Sequence, residues 1–374
     1  MTTMVTQTKN IKTKATRVVV AMSGGVDSSV AAALLKEQGY DVIGVSLKLW
    51  DYDEQERKLS GKTCCSLDDI ADAKDVCDTL GIPFYAFNHK PEFEKKVINT
   101  FVNEYHNGRT PNPCILCNKH IKFAVLLDEA RKMGAGFLAT GHYARVRHDQ
   151  GGASHLLKGI DADKDQSYVL FHLSQTELSR VLFPVGDYTK AEIRSLAEKF
   201  HLVTSRKKES MEICFIPNND HASFIAKNYP ALKHGPGNFI DTRGHVLGRH
   251  EGIDKYTIGQ RRGLQMSAGQ RLYVLRIDAQ RNEVILADEN EVFFTGAVGH
   301  GFHFINKPAE GLVGAKIRYQ RDEIPVEIAT YDENSGHIEL RFLQPARAVT
   351  PGQAMVLYQK DEVLGGGWIS RSVH

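Results

Sequence analysis

Six cysteines occur in the 374-residue chain, and three of them sit where thiol chemistry is plausible. Cys114 and Cys117 are separated by two residues in TPNPCILCNKHIKF (110–123), directly after a pair of prolines. Those prolines disfavour helix and hold a bend, so the reading expects a helix to begin near Lys119. A thiol at a helix N-terminus beside Lys119 and His120 is expected to ionise more readily than a free cysteine. The CxxC spacing alone fits a redox pair, half of a metal site or packing. Cys214, in KKESMEICFIPNND, follows Arg206, Lys207 and Lys208 and is a third candidate thiol. Cys77 falls on the apolar face of a predicted helix and reads as core, while Cys64 and Cys65 stand among polar residues with no chemistry assigned. Without a framework spacing, six cysteines fit a reducing compartment.

A second reactive stretch is AMSGGVDSS, from Ala21 to Ser29. Ser23, Gly24 and Gly25 allow a sharp turn that points several amide N–H groups at one place, and a helix starting there adds its positive end. Such a place binds phosphate. The stretch is not the common phosphate loop that ends in Gly-Lys-Ser/Thr, because no lysine follows the glycines.

These residues need a scaffold. RVVVAM (17–22), SSVAAALLKEQG (28–39) and DVIGVSLKL (41–49) read as strand, helix and strand. LDDIADAKDVCDTLG (67–81) has helical spacing before Gly81, and IPFYAFN reads as a third strand. IKFAVLLDEARKMG and FLATGHY supply another helix and strand, and TKAEIRSLAEKFHL (189–202) a last long helix. The expectation is an α/β doubly wound parallel sheet over 17–216, after a disordered N-terminus at 1–16. Frequent glycines over 217–294 point to a small linking domain of hairpins and loops. Short strand-length runs over 295–374 predict a C-terminal β-barrel.

Composition bounds the function. Apolar residues are 42% and charged residues 25% of the chain, and no apolar run approaches the roughly 20 residues of a membrane span. The reading is therefore a cytoplasmic protein with no membrane role. The first seventeen residues are basic but lack the apolar core of a secretory signal. A net charge of +2 leaves any nucleic-acid surface to local clusters, of which GQRRGL (259–264) and KIRYQR (316–321) are the candidates.

Taken together, SGGVDSS, TPNPCILCNKHIKF, ATGHYARV, DKDQSYVL, SMEICFI, YTIGQRRGL, KIRYQ, VTPGQA and LGGGWI resemble the tRNA-specific 2-thiouridylases, in the same order and with similar spacing. The first of these resembles the PP-loop of ATP pyrophosphatases. The resemblance implies ATP-dependent adenylation of O2 of the wobble uridine, with departure of pyrophosphate, and its replacement by sulfur. It implies ATP and Mg2+ as cofactors, wobble-uridine tRNAs such as those for Lys, Glu and Gln as substrates, and a cysteine desulfurase or sulfur-relay protein as donor.

Carried over by position, Ala21, Met22, Ser23, Gly24, Gly25, Val26, Asp27 and Ser28 would hold the phosphates, with Asp27 serving pyrophosphate and its magnesium ion. Leu47 and Gly141 would line the adenine pocket. Asn112, Pro113 and Cys114 would cradle the target base. His142, Lys164, Asp165, Gln166, Arg318, Tyr319 and Gln353 match tRNA-contacting positions. Cys117 matches the nucleophile and Cys214 the persulfide carrier, which the reaction would join as a disulfide.

The chain departs from a familiar version of the family, which has an aspartate in place of Cys114. Cys114, Cys117 and Cys214 could then instead ligate a 4Fe-4S cluster. Rival readings are another adenylating PP-loop enzyme of amidotransferase or synthetase type, and a non-catalytic tRNA-binding protein. Neither needs three placed cysteines beside an intact SGGVDSS.

Overall fold

The computed structural model describes residues 16–51, 67–207, 213–216, 218, 220–264, 271–319 and 321–374. The expected disordered N-terminus, up to residue 15, and Cys64, Cys65 and Lys208 lie outside the described residues. The chain forms two compact units. One holds 1–97, 114–218 and 361–363, and the other holds 98–113, 219–360 and 364–374.

In the first unit, β1 (Arg17–Ala21), β2 (Asp41–Lys48), β3 (Phe84–Asn88), β4 (Phe137–Thr140) and β7 (Val181–Leu182) form one sheet in the order β3-β2-β1-β4-β7. Every pairing in it is parallel. Val18, Val19 and Val20 of β1 are fully buried, as the central strand of a sheet covered on both faces requires. Helices α1 (Val26–Glu37) and α2 (Leu67–Leu80) pack on it through Val30, Ala31, Ala32, Ala73 and Val76, all fully buried. A hairpin, β5 (Ala144–His148) with β6 (Ser154–Lys158), follows β4. It is too short to stand out in the sequence, since only two of the five positions of Ala144–His148 are buried.

The second unit contains two β structures. One is a four-stranded sheet, ordered β10 (Tyr273–Asp278), β11 (Glu283–Ala287), β8 (Gly237–Ile240), β9 (Val246–His250). The other runs β12 (Phe293–Phe304), β15 (His337–Arg347), β14 (Ile324–Asp332), β13 (Val313–Lys316), β16 (Ala354–Gln359), β17 (Glu362–Val373), and closes by pairing β12 with β17. Closure leaves no exposed edge in this expected C-terminal barrel. The glycine-rich β12 escaped the sequence reading because Gly299 and Gly301 interrupt its pattern where it bulges between His300 and His303.

Residues 98–113 pack with the second unit although chain order places them amid the first. Their contacts say why. The Tyr105 ring stacks on His221 with centroids 4.4 Å apart, and His106 Nδ1 lies 2.9 Å from the Leu232 carbonyl.

Candidate active site

The nucleotide loop leaves β1 at Ala21 and enters α1 at Val26. The Met22 N–H donates to the Val45 carbonyl at 2.8 Å and the Ser46 hydroxyl to the Met22 carbonyl at 2.6 Å, so the loop is tied to β2 one residue from Leu47. Gly24 has φ +70°, and a Cβ there would meet the Asp69 carbonyl oxygen at 2.1 Å, so only glycine fits. Ser28 Oγ accepts from the Ser23 N–H at 3.2 Å and donates to the Gly25 carbonyl at 3.1 Å, closing the turn on the first turn of α1. Gly141, just after β4, also approaches backbone too closely for a Cβ, which would lie 2.6 Å from the Ser28 nitrogen and 2.7 Å from the Asp27 carbonyl carbon. The loop is thus a tight backbone cradle at a helix N-terminus, which suits a phosphate.

Asp27 is not bare. Lys190 Nζ lies 2.7 and 2.9 Å from its two carboxylate oxygens, and the Tyr143 hydroxyl donates to Oδ1 at 2.8 Å. Sequence reading missed both partners, which lie far along the chain. Lys207 bonds Asp69 at 2.7 Å and also Asp72, both on α2. Burial works against its ammonium, yet the two carboxylates outweigh that and raise its pKa.

The cysteine segment differs from expectation in two respects. Its helix starts at Pro113, spans Pro113–Cys117, and continues through a wider π turn at Asn118–Phe123 into Ala124–Lys132. Proline suits a first helical position because that N–H has no intrahelical partner, so the start lies ahead of Cys114 and not near Lys119. Cys114 is exposed and Cys117 buried. Ile115 and Ile121 are fully buried and the Asn118 side chain donates to the Val169 carbonyl at 3.2 Å, which fixes the turn carrying Cys117. His120 is not a cationic neighbour. Burial, then Lys119 and Lys96, push its pKa down.

Cys214 is half-buried in a turn closed by the Ile216 N–H on the Ile213 carbonyl at 3.0 Å. The next residue, Phe215, is 1% exposed and packs edge-on against Phe93, with centroids 5.7 Å apart. Cys77 is core as expected. Its burial pushes the thiol up to about 12, and a Cβ on Gly44 would lie 2.4 Å from its sulfur. Cys114, Cys117 and Cys214 are not gathered into a metal-ligating group; among the described residues no three His, Cys, Asp or Glu side chains are.

The remaining resemblance-derived positions hold internal bonds. His142 is 7% exposed, its Nδ1 lies 2.7 Å from Thr140 Oγ1, and burial, then Lys122 and His172, hold its pKa well below the usual value. Asp165 accepts from the Gly159 and Ser167 N–H groups, each at 3.1 Å, and Gln166 Oε1 from the Tyr143 N–H at 3.0 Å. The Lys164 N–H closes the same loop on the Asp161 carbonyl at 3.1 Å.

In the second unit, Arg318 Nη2 donates to the Ile258 carbonyl at 3.0 Å and to Thr350 Oγ1 at 2.6 Å. Tyr319 beside it is half-buried. Gln353 Nε2 donates to the Thr110 carbonyl at 2.7 Å, and the Thr110 N–H to the Pro351 carbonyl at 3.0 Å. The VTPGQ turn thus grips the backbone two residues ahead of Asn112. No described helix is long and apolar enough to cross a membrane.

Residues 16–218 match the tRNA methyl transferase HUP domain, 222–288 the tRNA methyl transferase PRC-barrel domain and 297–369 the aminomethyltransferase beta-barrel domain. The tRNA-specific 2-thiouridylase MnmA of Geobacter metallireducens is 48% identical over 361 residues, covering 96% of this chain and 97% of that protein. Its namesake in Geotalea uraniireducens is 49% identical over 370 residues, 98% of this chain and 97% of that protein. The enzyme of the same name in Carboxydothermus hydrogenoformans is 46% identical over 359 residues, 95% of this chain and 98% of that protein. The domain descriptions speak of methyl transfer, whereas the full-length relatives are named for thiolation, and the full-length likeness is the more specific of the two. With nearly half its residues identical over almost the whole length of such proteins, the chain belongs to the tRNA-specific 2-thiouridylase family.

Proposed function

We propose that this protein is an ATP-dependent tRNA 2-thiouridylase, in which the Ala21–Ser28 loop holds ATP with Mg2+ and Cys117 and Cys214 handle sulfur. The observation that carries the reading is the tight loop at the head of α1, where Gly24 and Gly141 leave no room for a Cβ, in a chain that also carries the two placed thiols. The loop residues fit a triphosphate, and the resemblance gives the Asp27 carboxylate, which pairs with Lys190 here, to a magnesium ion that would neutralise phosphate charge.

The chemistry follows from the substrate. Uridine C2 is a poor electrophile with oxide as leaving group. Attack of O2 on the α-phosphorus forms an O–P bond and releases pyrophosphate, leaving AMP as a good leaving group on C2. A relay protein or cysteine desulfurase loads Cys214 as a persulfide. Its terminal sulfur attacks C2 and AMP departs; the Cys117 thiolate then attacks the inner sulfur, which frees 2-thiouridine and leaves a Cys117–Cys214 disulfide. Alternatively that thiolate attack comes first and releases hydrosulfide, which attacks C2. Either order ends in a disulfide that a thiol reductant must open.

Asn112, Pro113 and the exposed Cys114 fit the cradle of the target base. Leu47 and Gly141 fit the adenine side of the loop. The tRNA role that the resemblance gives His142 would fall to its backbone, because its imidazole is buried against Thr140. Lys164, Tyr319 and the basic runs carry the phosphate contacts of tRNAs such as those for Lys, Glu and Gln. Asp165, Gln166, Arg318 and Gln353 shape the backbone beneath those contacts.

The test is 2-thiouridine formed on unmodified tRNA with ATP and a persulfide donor, measured by nucleoside mass analysis. Cys117→Ser and Cys214→Ser are each expected to be inactive, and Cys114→Asp to retain activity without iron. Full thiolation by Cys117→Ser sinks the sulfur route. Loss of both iron and thiolation in Cys114→Asp, prepared anaerobically, favours the 4Fe-4S reading over the persulfide route.

A further inference from the structure

We propose that Lys207 is a positioning residue for the sulfur step, latching the chain ahead of Cys214 onto the helix against which the nucleotide loop rests. The inference rests on the sulfur route above, in which Cys214 carries the persulfide, and adds the ion pair that helps to present it.

Lys207 stands seven positions ahead of Cys214. Its Nζ lies 2.7 Å from Asp69 Oδ1 and also bonds Asp72. Asp69 and Asp72 are three residues apart on α2, so their carboxylates share one helix face and meet one ammonium. The Asp69 side chain is 9% exposed and sits in the first turn of α2, where the positive end of the helix favours a carboxylate. Its backbone is what the nucleotide loop rests on. A Cβ on Gly24 would meet the Asp69 carbonyl oxygen at 2.1 Å, the carbonyl carbon at 2.7 Å and Cα at 2.8 Å. One residue therefore touches the loop through its backbone and Lys207 through its side chain.

The chain leading to Lys207 is bonded as well. Leu202 and Thr204 are buried, the Lys207 N–H donates to the Thr204 carbonyl at 3.0 Å, and Arg194 Nη1 donates to the Ser205 carbonyl at 3.2 Å. On the other side of Cys214, Phe215 packs on Phe93, and the short helix Lys90–Phe93 contacts the π turn that follows Cys117. Cys214 thus has one anchor beside the turn that carries Cys117 and one beside the nucleotide loop. The persulfide has to serve both places, because its terminal sulfur goes to the adenylated C2 and its inner sulfur to Cys117. An ion pair of this exposure adds little net stability, so its two carboxylates are better accounted for by registry. Registry matters here because a misplacement near 1 Å can cost as much as ~100-fold in rate.

The experiment compares the wild-type full chain with Lys207→Met, Lys207→Arg and Asp72→Asn, each checked for folding by circular dichroism. Three quantities are read: pyrophosphate release from ATP with unmodified tRNA in a single turnover without sulfur donor, tRNA affinity by gel shift, and the rate of 2-thiouridine formation with a persulfide donor. Lys207→Met is expected to thiolate at least about fivefold more slowly, with pyrophosphate release and tRNA affinity within twofold. Lys207→Arg, which keeps a cation for both carboxylates, should recover most of the rate. Asp72→Asn should show the same split to a smaller extent, since Asp69 still holds the lysine. The double variant Lys207→Met/Asp72→Asn should be no slower than Lys207→Met alone, because both changes break one latch. A fall in pyrophosphate release equal to the fall in thiolation would assign Lys207 to the nucleotide chemistry, unchanged thiolation would leave the latch without a role, and multiplied effects in the double variant would show two independent residues; each overturns the proposal. Should Lys207→Met fail to fold, Asp72→Asn decides: the split supports the latch and wild-type thiolation overturns it. Cys214→Ser separates the two levels, since full thiolation by that variant fails the sulfur route itself, whereas an inactive Cys214→Ser beside a fully active Lys207→Met fails the latch alone.

Discussion

Gly141→Ala is a one-carbon change that tests whether the nucleotide loop is set by backbone contact. The added Cβ would stand 2.6 Å from the Ser28 nitrogen, 2.7 Å from the Asp27 carbonyl carbon and 3.0 Å from Ser28 Cα, all backbone atoms that no rotamer can move. Reaching the 3.4 Å of ordinary contact requires a retreat of about 0.8 Å by the head of α1 or by the end of β4. Ser28 closes the loop on Ser23 and Gly25, so the retreat drags the cradle with it. Overpacking of this kind costs about 1–3 kcal/mol in stability, which is a fall of a few degrees in Tm. A displacement near 1 Å can cost as much as ~100-fold in rate at a site that works by positioning. The expected outcome is a protein that stays folded by circular dichroism, melts a few degrees lower, and releases pyrophosphate from ATP at least tenfold more slowly with tRNA affinity unchanged. Wild-type pyrophosphate release from a correctly folded Gly141→Ala would refute the idea that backbone approach shapes the loop.

Three further outcomes follow from internal bonds. Gln353→Ala removes the donor to the Thr110 carbonyl, worth about 1 kcal/mol, and is expected to lower kcat for thiolation more than it weakens tRNA binding in a gel-shift titration. The opposite split would make Gln353 a tRNA contact first. Arg318→Ala strips two acceptors of a charged donor and should lower the Tm of the second unit by an amount worth about 1.5–3 kcal/mol, read by calorimetry; an unchanged melt with a flatter salt dependence of tRNA binding would return Arg318 to the phosphate backbone. His142 is buried neutral and its folded pKa lies below the unfolded value near 6.5, so the unfolded chain binds the extra proton. Stability should hold above about pH 7 and fall as the pH drops below 6.5, with a slope of up to ~1.4 kcal/mol per unit, and His142→Gln should flatten that limb in urea titrations.

Local chemistry made much of this protein legible before folding. The β-branched run at Val18–Val20, the helical spacing of 67–80 and the glycines after β1 each act within a few residues, so the parallel sheet, its nucleotide loop and the closed barrel could be read from the chain. The same holds for Cys77, whose place on an apolar helix face announced its burial. Glycine-rich β12 and the polar β5–β6 hairpin gave no such signal, because their register is set by partner strands.

The partnerships around the site belong to tertiary structure. Lys190 and Asp27 are 163 positions apart, and Gln353 and Thr110 are 243 apart; no periodicity links them. Asp165, Gln166, Arg318 and Gln353 carry polar groups that suit tRNA equally well, and only the closed fold shows them bonded to Gly159, Tyr143, Ile258 and Thr110. A side chain's type limits which bonds it can make. Which of those bonds it makes depends on the groups that chain closure brings within 3 Å or so, and burial then makes an unpaired alternative costly.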